Sequence, residues 1–553
     1  MPKVTIIGAG IAGLTAALQL AQRGYEVTVF ESNSFVGGKF RAVEWKNSGS
    51  FHEHSYHMFL NWYHNFFALA DTIDARKDFI PLERVRFLRE GEFPKMTELV
   101  NFGAPSTIPQ NLLSGVLSVP DMFLYMYSVI DLLGTPMRQD RYRDLISVNA
   151  FAVTKPYATE ASVGMYDEYL AKTFAIASYL TSAKSFQTFL EYGAYSPTPL
   201  YWALTGDSHN KFLGPLKSKL EKLGVKFNCN YLATDLQLDK DGKISAVNFE
   251  KCKDFSPSLS EYSWSKVRLD FLRQRDAVLE EVKIEGPLIL AIPHAALSKL
   301  LSAAVLNRNP QLGECEKLVS VPMASVHLHL NKRFSQRLES MHAKLPPEPV
   351  VLLNSNFKLS FVSNSSLWTG SKNTYLNIVA SDSRPLGHLL APNAFNEDRK
   401  WVSEASKLSI DRPVTTLDHI LHEFRRFVPF DENEIEMELL ELDRNSGREL
   451  FINDVGSWKW RPECHTKISN LFIAGDFCKN TIDVVCLEGA VVSGLQAAEL
   501  VRQQDGIGPP IRIVTPKRYP YSTFWPLKIL LAPYAASAKV WSFCNELIGN
   551  LDR

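Results

Sequence analysis

The chain has 553 residues, of which 45% are hydrophobic and 22% are charged, as in an ordinary globular protein. The 60 Lys and Arg residues balance 60 Asp and Glu residues, so no overall positive charge attracts a polyanion, and nucleic-acid binding is disfavoured. The seven cysteines are widely spaced and form no CxxC pair, which argues against both a disulfide framework and a zinc site.

The N-terminal segment predicts a strand–helix–strand unit. Val4–Ile7 has the pattern of a buried parallel strand, Ala12–Arg23 that of a helix and Glu26–Phe30 that of a second strand. The 19 residues Val4–Gln22 carry no charge, as in a membrane or signal segment, but the glycines inside the run favour the strand–helix interpretation. No Arg/Ser-rich transit segment precedes the unit, so the sequence predicts a cytoplasmic protein.

The glycines of this unit form the pattern Gly8-x-Gly10-x-x-Gly13 between strand and helix. In such a turn the first glycine permits the tight bend, the second lets backbone amides approach a pyrophosphate, and the third allows close packing of the helix on the strand. Glu31 ends the second strand, where a carboxylate accepts hydrogen bonds from ribose hydroxyls. A helix of small residues packed on a sheet would not need this carboxylate, so the pattern predicts dinucleotide binding.

A second glycine pair follows the acidic residue. Gly37 and Gly38 lead into Lys39, with Arg41 two residues further on. The pair offers another close approach of the backbone to a ligand, and the basic residue places a cation beside the phosphates.

From residue 62 to 201 helical patterns dominate, and strands and helices alternate afterwards. The predicted helices are Pro120–Leu133, Ala171–Leu190, Lys211–Leu223 and Ala490–Arg502. The predicted strands are Val225–Asn230, Thr234–Phe249 with an internal turn, Pro287–Ile292, Val321–Leu330, Thr374–Ser381 and Leu471–Ala474. The alternation in Val321–Leu330 and Thr374–Ser381 indicates an antiparallel sheet in a second domain.

A closing motif lies near the C-terminus, where a buried strand leads into Gly475 and Asp476 and a helix starts near Gly489. Gly475 permits backbone approach, and Asp476 can accept hydrogen bonds from the polar linker of a dinucleotide. The start of the helix at Gly489 is expected to offer free N–H donors. Both ends of one cofactor site are therefore predicted to come from opposite ends of the chain.

Together these segments resemble the signature of the FAD enzymes of the flavin amine oxidase and phytoene desaturase superfamily. The matching blocks run from Met1 to about Arg502. The resemblance implies an α/β fold with a Rossmann-type FAD-binding domain built on a parallel sheet, interleaved with an α+β substrate domain and followed by a C-terminal helical tail. The implied boundaries are 1–65, 205–300 and 451–504 for the FAD-binding domain, 66–204 and 301–450 for the substrate domain, and 505–553 for the tail.

The resemblance also implies which residues contact FAD. They are Gly8, Gly10, Ile11, Ala12, Gly13, Glu31, Ser32, Gly37, Gly38, Lys39, Arg41, Gly475, Asp476, Glu488, Gly489 and Ala490.

The stretch Phe51–Phe66 is similar to a pattern in carotene desaturases and hydroxysqualene-processing enzymes. Glu53, His54, His57, Tyr63 and Asn65 match that pattern, whereas Ser55 stands where the family usually has Gly. We expect a polar cluster beside the flavin in which His54 and His57 act in proton transfer, Glu53 orients one of them, and Tyr56 stabilises developing positive charge. A surface loop remains an alternative. A metal site is disfavoured, because His-x-His-x-x-His comes without a supporting acidic or cysteine ligand set.

Cys486 helps to distinguish between the amine oxidases and the desaturases of the superfamily. Amine oxidases of this kind usually carry an aromatic residue two positions before the Glu-Gly of the closing motif, where it forms one wall of a cage for the amine. Desaturases have a small residue there, so Cys486 argues against such a cage. We interpret Cys486 as a small packing residue rather than a reactive thiol.

Two segments suggest that the protein handles lipid. Gly115–Leu133 is rich in aliphatic and aromatic residues and is either a core helix or a lid over the substrate tunnel. Pro516–Cys544 interleaves Lys and Arg with aromatic residues, which suits a membrane interface, although docking on the protein's own surface is equally compatible. The uncharged run Ile529–Ala538 is too short to span a bilayer.

The sequence therefore predicts an FAD-dependent oxidoreductase that removes a hydride from a large apolar, isoprenoid or lipid-like substrate. Isomerisation or dehydroxylation of such a substrate stays open, as does the electron acceptor, oxygen or a quinone. The alternatives are a flavin amine or amino-acid oxidase and a non-catalytic lipid-binding escort. The expected localisation is cytoplasmic, with peripheral contact to a membrane.

Overall fold

The structure is a computed structural model that describes residues 1–44, 51–53, 55–101, 105–137, 145–174, 177–251, 278–321, 323–368, 373–382, 416–442 and 450–551. His54 and the polar segment 252–277 therefore lie outside the described residues.

Helices and strands occur along the whole described chain. The helices are α1 (Ile11–Ala21), α2 (His64–Thr72), α3 (Ile108–Leu112), α4 (Val119–Leu133), α5 (Val148–Val153), α6 (Glu160–Phe174), α7 (Ala183–Tyr195), α8 (Gly214–Lys222), α9 (His294–Leu300), α10 (Ala303–Arg308), α11 (Lys332–Ser340), α12 (Asn364–Leu367), α13 (Thr416–Phe427), α14 (Leu487–Asp505) and α15 (Tyr521–Leu551). The strands of the first half are β1 (Lys3–Ile7), β2 (Glu26–Glu31), β3 (Ala42–Glu44), β4 (Phe51–Glu53), β5 (Phe59–Leu60), β6 (Phe79–Leu82), β7 (Arg84–Leu88), β8 (Thr97–Val100), β9 (Tyr201–Leu204), β10 (Lys226–Cys229), β11 (Tyr231–Leu238) and β12 (Ile244–Lys251). Those of the second half are β13 (Val278–Lys283), β14 (Leu288–Leu290), β15 (Ser320–Val321), β16 (Ala324–Leu330), β17 (Val350–Leu352), β18 (Leu359–Ser363), β19 (Thr374–Ala380), β20 (Ile435–Leu442), β21 (Leu450–Phe451) and β22 (Leu471–Ile473).

A five-stranded parallel sheet in the order β10-β2-β1-β14-β22 organises the cofactor half of the molecule. Its central strands are short apolar runs because both faces of the sheet are covered, and Ile6, Ile289 and Ile473 have no exposed surface. Helices α1 and α14 pack against one another beside this sheet. The predicted Rossmann-type α/β fold is confirmed.

A seven-stranded mixed sheet in the order β20-β16-β19-β18-β17-β7-β8 forms the other half. β16 and β19 pair antiparallel from Ala324–Ala380 to Leu330–Thr374, as the alternation of these segments predicts. One face carries Leu328, Ile378 and Phe361, which pack with Phe334 of α11 and Phe424 of α13 in a separate hydrophobic core. The two sheets draw strands from alternating parts of the chain, and the domain boundaries given above stay a prediction.

The predicted helix Ala171–Leu190 is wrong, because two helices occupy this region. α6 ends at Phe174, and α7 begins at Ala183 after Ser182, whose Oγ accepts a hydrogen bond from the Ser185 N–H. Ser147 and Ser182 also form a bridge between chain segments. The apolar periodicity continues through the break, whereas the capping serine and the tertiary bridge end one helix and start the next.

The C-terminal tail is a helix that docks on α4. Ala535 and Ala538 of α15 pack with Leu124 and Tyr127 of α4, and Ser542 donates a hydrogen bond to Asp121 at 2.8 Å. α4 is therefore covered by the tail rather than open to solvent. Among the described helices, none is both long and apolar enough to cross a membrane.

Candidate functional site

The first glycine motif forms a close backbone turn at the start of α1. Gly8 has φ +103°, and a Cβ on it would lie 2.3 Å from the carbonyl oxygen of Ala291. A Cβ on Gly13 would lie 2.0 Å from the carbonyl oxygen of Gly8, so the helix can approach the strand only with glycine there. Gly10 is the N-cap of α1 and no side chain caps it. The first turn of the helix, which includes Ile11 and Ala12, thus presents backbone N–H groups suited to a phosphate.

The second glycine pair lies directly against the first motif. The Gly37 N–H donates to the Ala9 carbonyl at 2.8 Å, and Gly10 and Gly37 form a parallel bridge. A Cβ on Gly38 would lie 3.0 Å from the Gly10 Cα. The fold therefore brings the two glycine motifs together, and the partly exposed Gly10 and Gly38 leave room for a ligand to approach the backbone.

Glu31 orders the loops around these glycines. Its Oε2 accepts the Ala9 N–H at 2.8 Å, and its Oε1 accepts the Asn33 N–H at 2.9 Å. The Ser32 hydroxyl also donates to Oε1, at 3.2 Å. Contacts of Glu31 and Ser32 with a ribose stay a prediction.

A salt bridge joins the N-terminal and C-terminal motifs. Lys39 Nζ lies 3.5 Å from Asp476 Oδ2, and neither side chain is fully buried. The Gly475 N–H donates to Ser493 Oγ at 2.9 Å, which fixes the end of the closing strand. Arg41 is buried just beyond the glycine pair. The glycine cradle, its free helix terminus and the Lys39 cation have the donor chemistry that a dinucleotide diphosphate requires.

The start of α14 differs from its prediction. The Gly489 N–H donates to Cys486 Sγ at 3.4 Å, and the Ala490 N–H donates to the Cys486 carbonyl at 3.1 Å. The expectation of free N–H donors at Gly489 is therefore wrong, because the residue before the helix caps it. Burial raises the pKa of the Cys486 thiol to about 12, which favours an unreactive thiol.

Glu488 connects the closing motif to α2. One carboxylate oxygen accepts the backbone N–H and the side-chain N–H of Asn65 at 2.9 and 2.7 Å, and the other accepts the Phe66 N–H at 2.8 Å. The side chain has no exposed surface, and burial raises its pKa to about 7. Asn65 in turn exchanges two hydrogen bonds with the backbone of Val514 in the tail. The match of Asn65 to the family pattern thus corresponds to a structural link between distant segments.

Three of the four predicted catalytic residues surround one recess. Glu53 Oε2 lies 3.3 Å from His57 Nδ1, and Glu53 Oε1 accepts the Ser208 N–H at 2.7 Å. The Tyr56 hydroxyl lies 2.7 Å from Ser360 Oγ, and burial raises the pKa of Tyr56 to about 12. These three residues line the recess together with the apolar side chains of Phe40, Met58, Phe59, Leu204, Leu367 and Trp368.

A second histidine cluster was not anticipated. His52 Nε2 lies 3.0 Å from His329 Nε2, and His327 Nδ1 lies 2.8 Å from the Tyr375 hydroxyl. The His-x-His pattern in β16 was visible in the sequence, but nothing local connects it to His52, which is 277 residues away from His329. Over the described ranges, no group of three His, Cys, Asp or Glu side chains is arranged to hold a metal ion.

Two family models match the chain. Residues 6–73 match the NAD(P)-binding Rossmann-like domain, and residues 287–502 match the flavin containing amine oxidoreductase family. The two matched ranges hold both glycine motifs and the closing motif.

Carotene desaturases are among the similar proteins. The zeta-carotene desaturase of Capsicum annuum is 23% identical over 525 residues, covering 90% of this chain and 80% of the relative. The zeta-carotene desaturase of Synechocystis sp. is 21% identical over 515 residues, covering 90% of this chain and 97% of the relative.

A solved structure shows the same fold. An engineered putrescine oxidase aligns with a TM-score of 0.59 and 14% identity, covering 91% of this chain and 99% of that one. Motif geometry, family models and fold thus agree. The chain is similar to flavin amine oxidases and carotene desaturases in its motifs, its matched ranges and its fold, and it is a flavin-dependent oxidoreductase.

Proposed function

We propose that the protein binds FAD and uses it to desaturate a large apolar, isoprenoid or lipid-like substrate. The glycine cradle supports a dinucleotide, and Lys39 beside Asp476 places charged groups from both ends of the chain at one site. The family model over residues 287–502 supports a flavin rather than a nicotinamide. The predicted FAD contacts are proposed with two differences. The Glu488 carboxylate is bonded to α2, and the N–H groups of Gly489 and Ala490 are bonded to Cys486.

The proposed class of substrate is inferred mainly from the side chains that line the recess beside the second glycine pair. Phe40 follows directly after Lys39 and lines the recess, so the recess adjoins the proposed cofactor site. Most of its walls are aromatic or aliphatic, and of the lining residues described only Glu53 and His57 are carboxylic acid or imidazole groups. Such a surface suits a largely apolar substrate. The similarity to zeta-carotene desaturases supports an isoprenoid.

When bound, FAD would accept a hydride from the substrate and leave a carbon centre that loses a proton to form the double bond. His57 is proposed as the group that takes this proton. Glu53 lies beside the ring at Nδ1 and stabilises its protonated form, while the Ser208 N–H holds Glu53 in place. Tyr56 is held by Ser360 on the wall of the recess, where its ring can face developing positive charge.

The test is anaerobic reduction of the purified flavoprotein. We expect the oxidised flavin absorbance to bleach with acyclic isoprenoid hydrocarbons or their derivatives, and the product to contain one more double bond by mass spectrometry. Bleaching by amines with none by any isoprenoid would contradict the proposal. Extraction of the cofactor and its chromatography against FAD and FMN standards tests the identity of the flavin.

We also propose that the outer face of α15 contacts a lipid membrane peripherally. Its inner face is docked on α4, whereas large apolar side chains point outwards and are exposed at Trp525, Ile529, Leu530, Tyr534, Val540, Trp541, Phe543, Leu547 and Ile548. An apolar helix face with Trp and Tyr suits the interface of a bilayer. Sedimentation of the protein with phospholipid vesicles tests this contact.

A further inference from the structure

One face of the seven-stranded sheet carries a group of polar side chains although it is buried. The opposite face holds the leucine- and phenylalanine-rich core described above. The polar face carries His327 and His329 of β16, Tyr375 and Asn377 of β19, and Ser360 of β18. It lies against His52 and Tyr56, which belong to the segment that follows the second glycine pair.

Asn377 has an unusual environment on this face. Its side chain has no exposed surface, and neither its amide oxygen nor its amide nitrogen has a hydrogen-bond partner among the described residues. It stands directly opposite His327 on the neighbouring strand, so both side chains point to the same side of the sheet. Because buried amides are almost always hydrogen-bonded, an orphaned amide at this place indicates a partner that the protein does not supply.

Asn377 lies between His327 of β16 and Val362 of β18, and His52 and His329 are further polar groups of the same face. Burial and the adjacent histidines lower the pKa of His52 to about 2 and that of His329 to about 4, so both rings are neutral at ordinary pH. A neutral imidazole offers one donor and one acceptor, and the Asn377 amide offers both as well. This set of groups suits a hydroxyl or carbonyl oxygen, whereas a carboxylate or an ammonium group would require a counter-charge.

The polar face adjoins the proposed substrate recess. The ring of Tyr375 lies 5.5 Å from that of Trp368, which lines the recess, and stacks on His329 at 4.2 Å. Tyr56, another lining residue, is bonded to Ser360 of the same face.

We infer that this face, with Asn377 at its centre, recognises a hydroxyl or carbonyl group on the substrate, so that the substrate is an oxygenated lipid rather than a pure hydrocarbon. The inference rests on the proposed function, since it takes the recess as the substrate site. A hydrocarbon would leave the Asn377 amide unpaired in the complex, which disfavours its binding.

The experiment compares an acyclic tetraterpene hydrocarbon with the same chain bearing one terminal hydroxyl or keto group. Equilibrium binding of each compound to the holoprotein is measured by quenching of tryptophan fluorescence. Of the hydroxyl and keto compounds, we expect the one that binds more tightly to have a dissociation constant roughly tenfold below that of the hydrocarbon in the wild type, because it gains one buried hydrogen bond. Asn377→Leu should bring this ratio close to one.

Two further variants distinguish recognition from packing. Ser360→Ala lies on the polar face and should reduce the ratio, whereas Ser363→Ala, on the same strand but bonded to Ser365 and Ser366 on the other side, should leave it unchanged. Asn377→Leu should not lower the unfolding midpoint, because its amide makes no bond within the described protein. A ratio near one in the wild type, or an unchanged ratio in both Asn377→Leu and Ser360→Ala, would overturn the inference. If neither compound bleaches the flavin, the desaturase proposal fails. The binding ratio is measured independently of flavin reduction, so it still tests whether the polar face recognises an oxygen atom.

Discussion

Substitution of His57 should lower the rate of flavin reduction without changing the amount of bound flavin. His57 contacts Glu53 and the ring of Phe40 on the wall of the recess. We expect His57→Ala to slow anaerobic flavin reduction about 100-fold, the usual effect of removing a general base, with the flavin content unchanged. Stopped-flow absorbance measures the rate. His64→Ala, at an exposed histidine seven residues further on, is the matched control. An unchanged rate in His57→Ala would rule out His57 as the base.

Glu488 makes the stability of the protein depend on pH. Burial raises its pKa from 4.5 in the unfolded chain to about 7. Because the folded state binds this proton more tightly, the stabilising contribution is complete below about pH 4.5 and is lost as the pH rises through about 7. The difference corresponds to roughly 3 kcal/mol.

Glu488→Gln should remove this titration. We expect its free energy of unfolding to fall less than that of the wild type between about pH 5 and 7, as measured by urea denaturation over a pH series. Glu499→Gln on the same helix is the control, since the hydrogen bonds from Arg502 and from the Ile511 N–H hold the pKa of Glu499 at about 2, outside this window, although burial alone would raise it. Equal pH slopes for wild type and Glu488→Gln would contradict the assignment.

At the scale of elements, the contact between α1 and α14 depends on one glycine. A Cβ on Gly494 would lie 2.3 Å from the Ala12 carbonyl oxygen, in the backbone of a helix that cannot yield locally. Gly494→Ala should therefore separate the two helices and lower the free energy of unfolding by about 1–3 kcal/mol. It should also reduce the bound flavin, because α1 starts at the glycine cradle.

The control for this substitution is Gly164→Ala in α6. No atom lies within 4 Å of a Cβ at that position. The change should be neutral or should stabilise the protein by about 0.5–1 kcal/mol through helix propensity alone. Thermal unfolding with parallel flavin quantification distinguishes the two variants, and equal behaviour would show that the helix contact tolerates a methyl group.

At the scale of the whole molecule, one face of α15 packs on α4 and the opposite face is exposed on the protein surface. Ser542 and Lys528 bind Asp121 and Asp131 of α4, so the docked helix presents its apolar residues outwards. Leu530→Asp should weaken vesicle binding at least severalfold, since it places a charge in the apolar contact. Leu279→Asp, at a similarly exposed leucine of β13, should leave vesicle binding unchanged. Equal sedimentation of Leu530→Asp and wild type would exclude α15 as the membrane contact.

Local signals explain which parts of the fold could be predicted. The glycine spacing before α1, the apolar runs of β1 and β22, and the alternation in β16 and β19 each identify an element from a few neighbouring residues. The break between α6 and α7 was missed because the capping Ser182 sits inside a continuous apolar pattern. The expectation of free N–H donors at Gly489 was also wrong, because the group that caps the helix is the sulfur of Cys486, which is not among the usual capping groups.

The sequence by itself determined the resemblance to flavin enzymes, the two glycine motifs and the closing Asp476, because each depends on residue type at short spacing. Only the tertiary structure decided which distant groups meet. Examples are Lys39 with Asp476, Glu488 with Asn65, and His52 with His329. These pairs are set by how the parallel sheet and the seven-stranded sheet pack, and no local periodicity encodes that packing. For the same reason the sequence indicated an apolar substrate, whereas the buried polar face with Asn377 became visible only in the folded molecule.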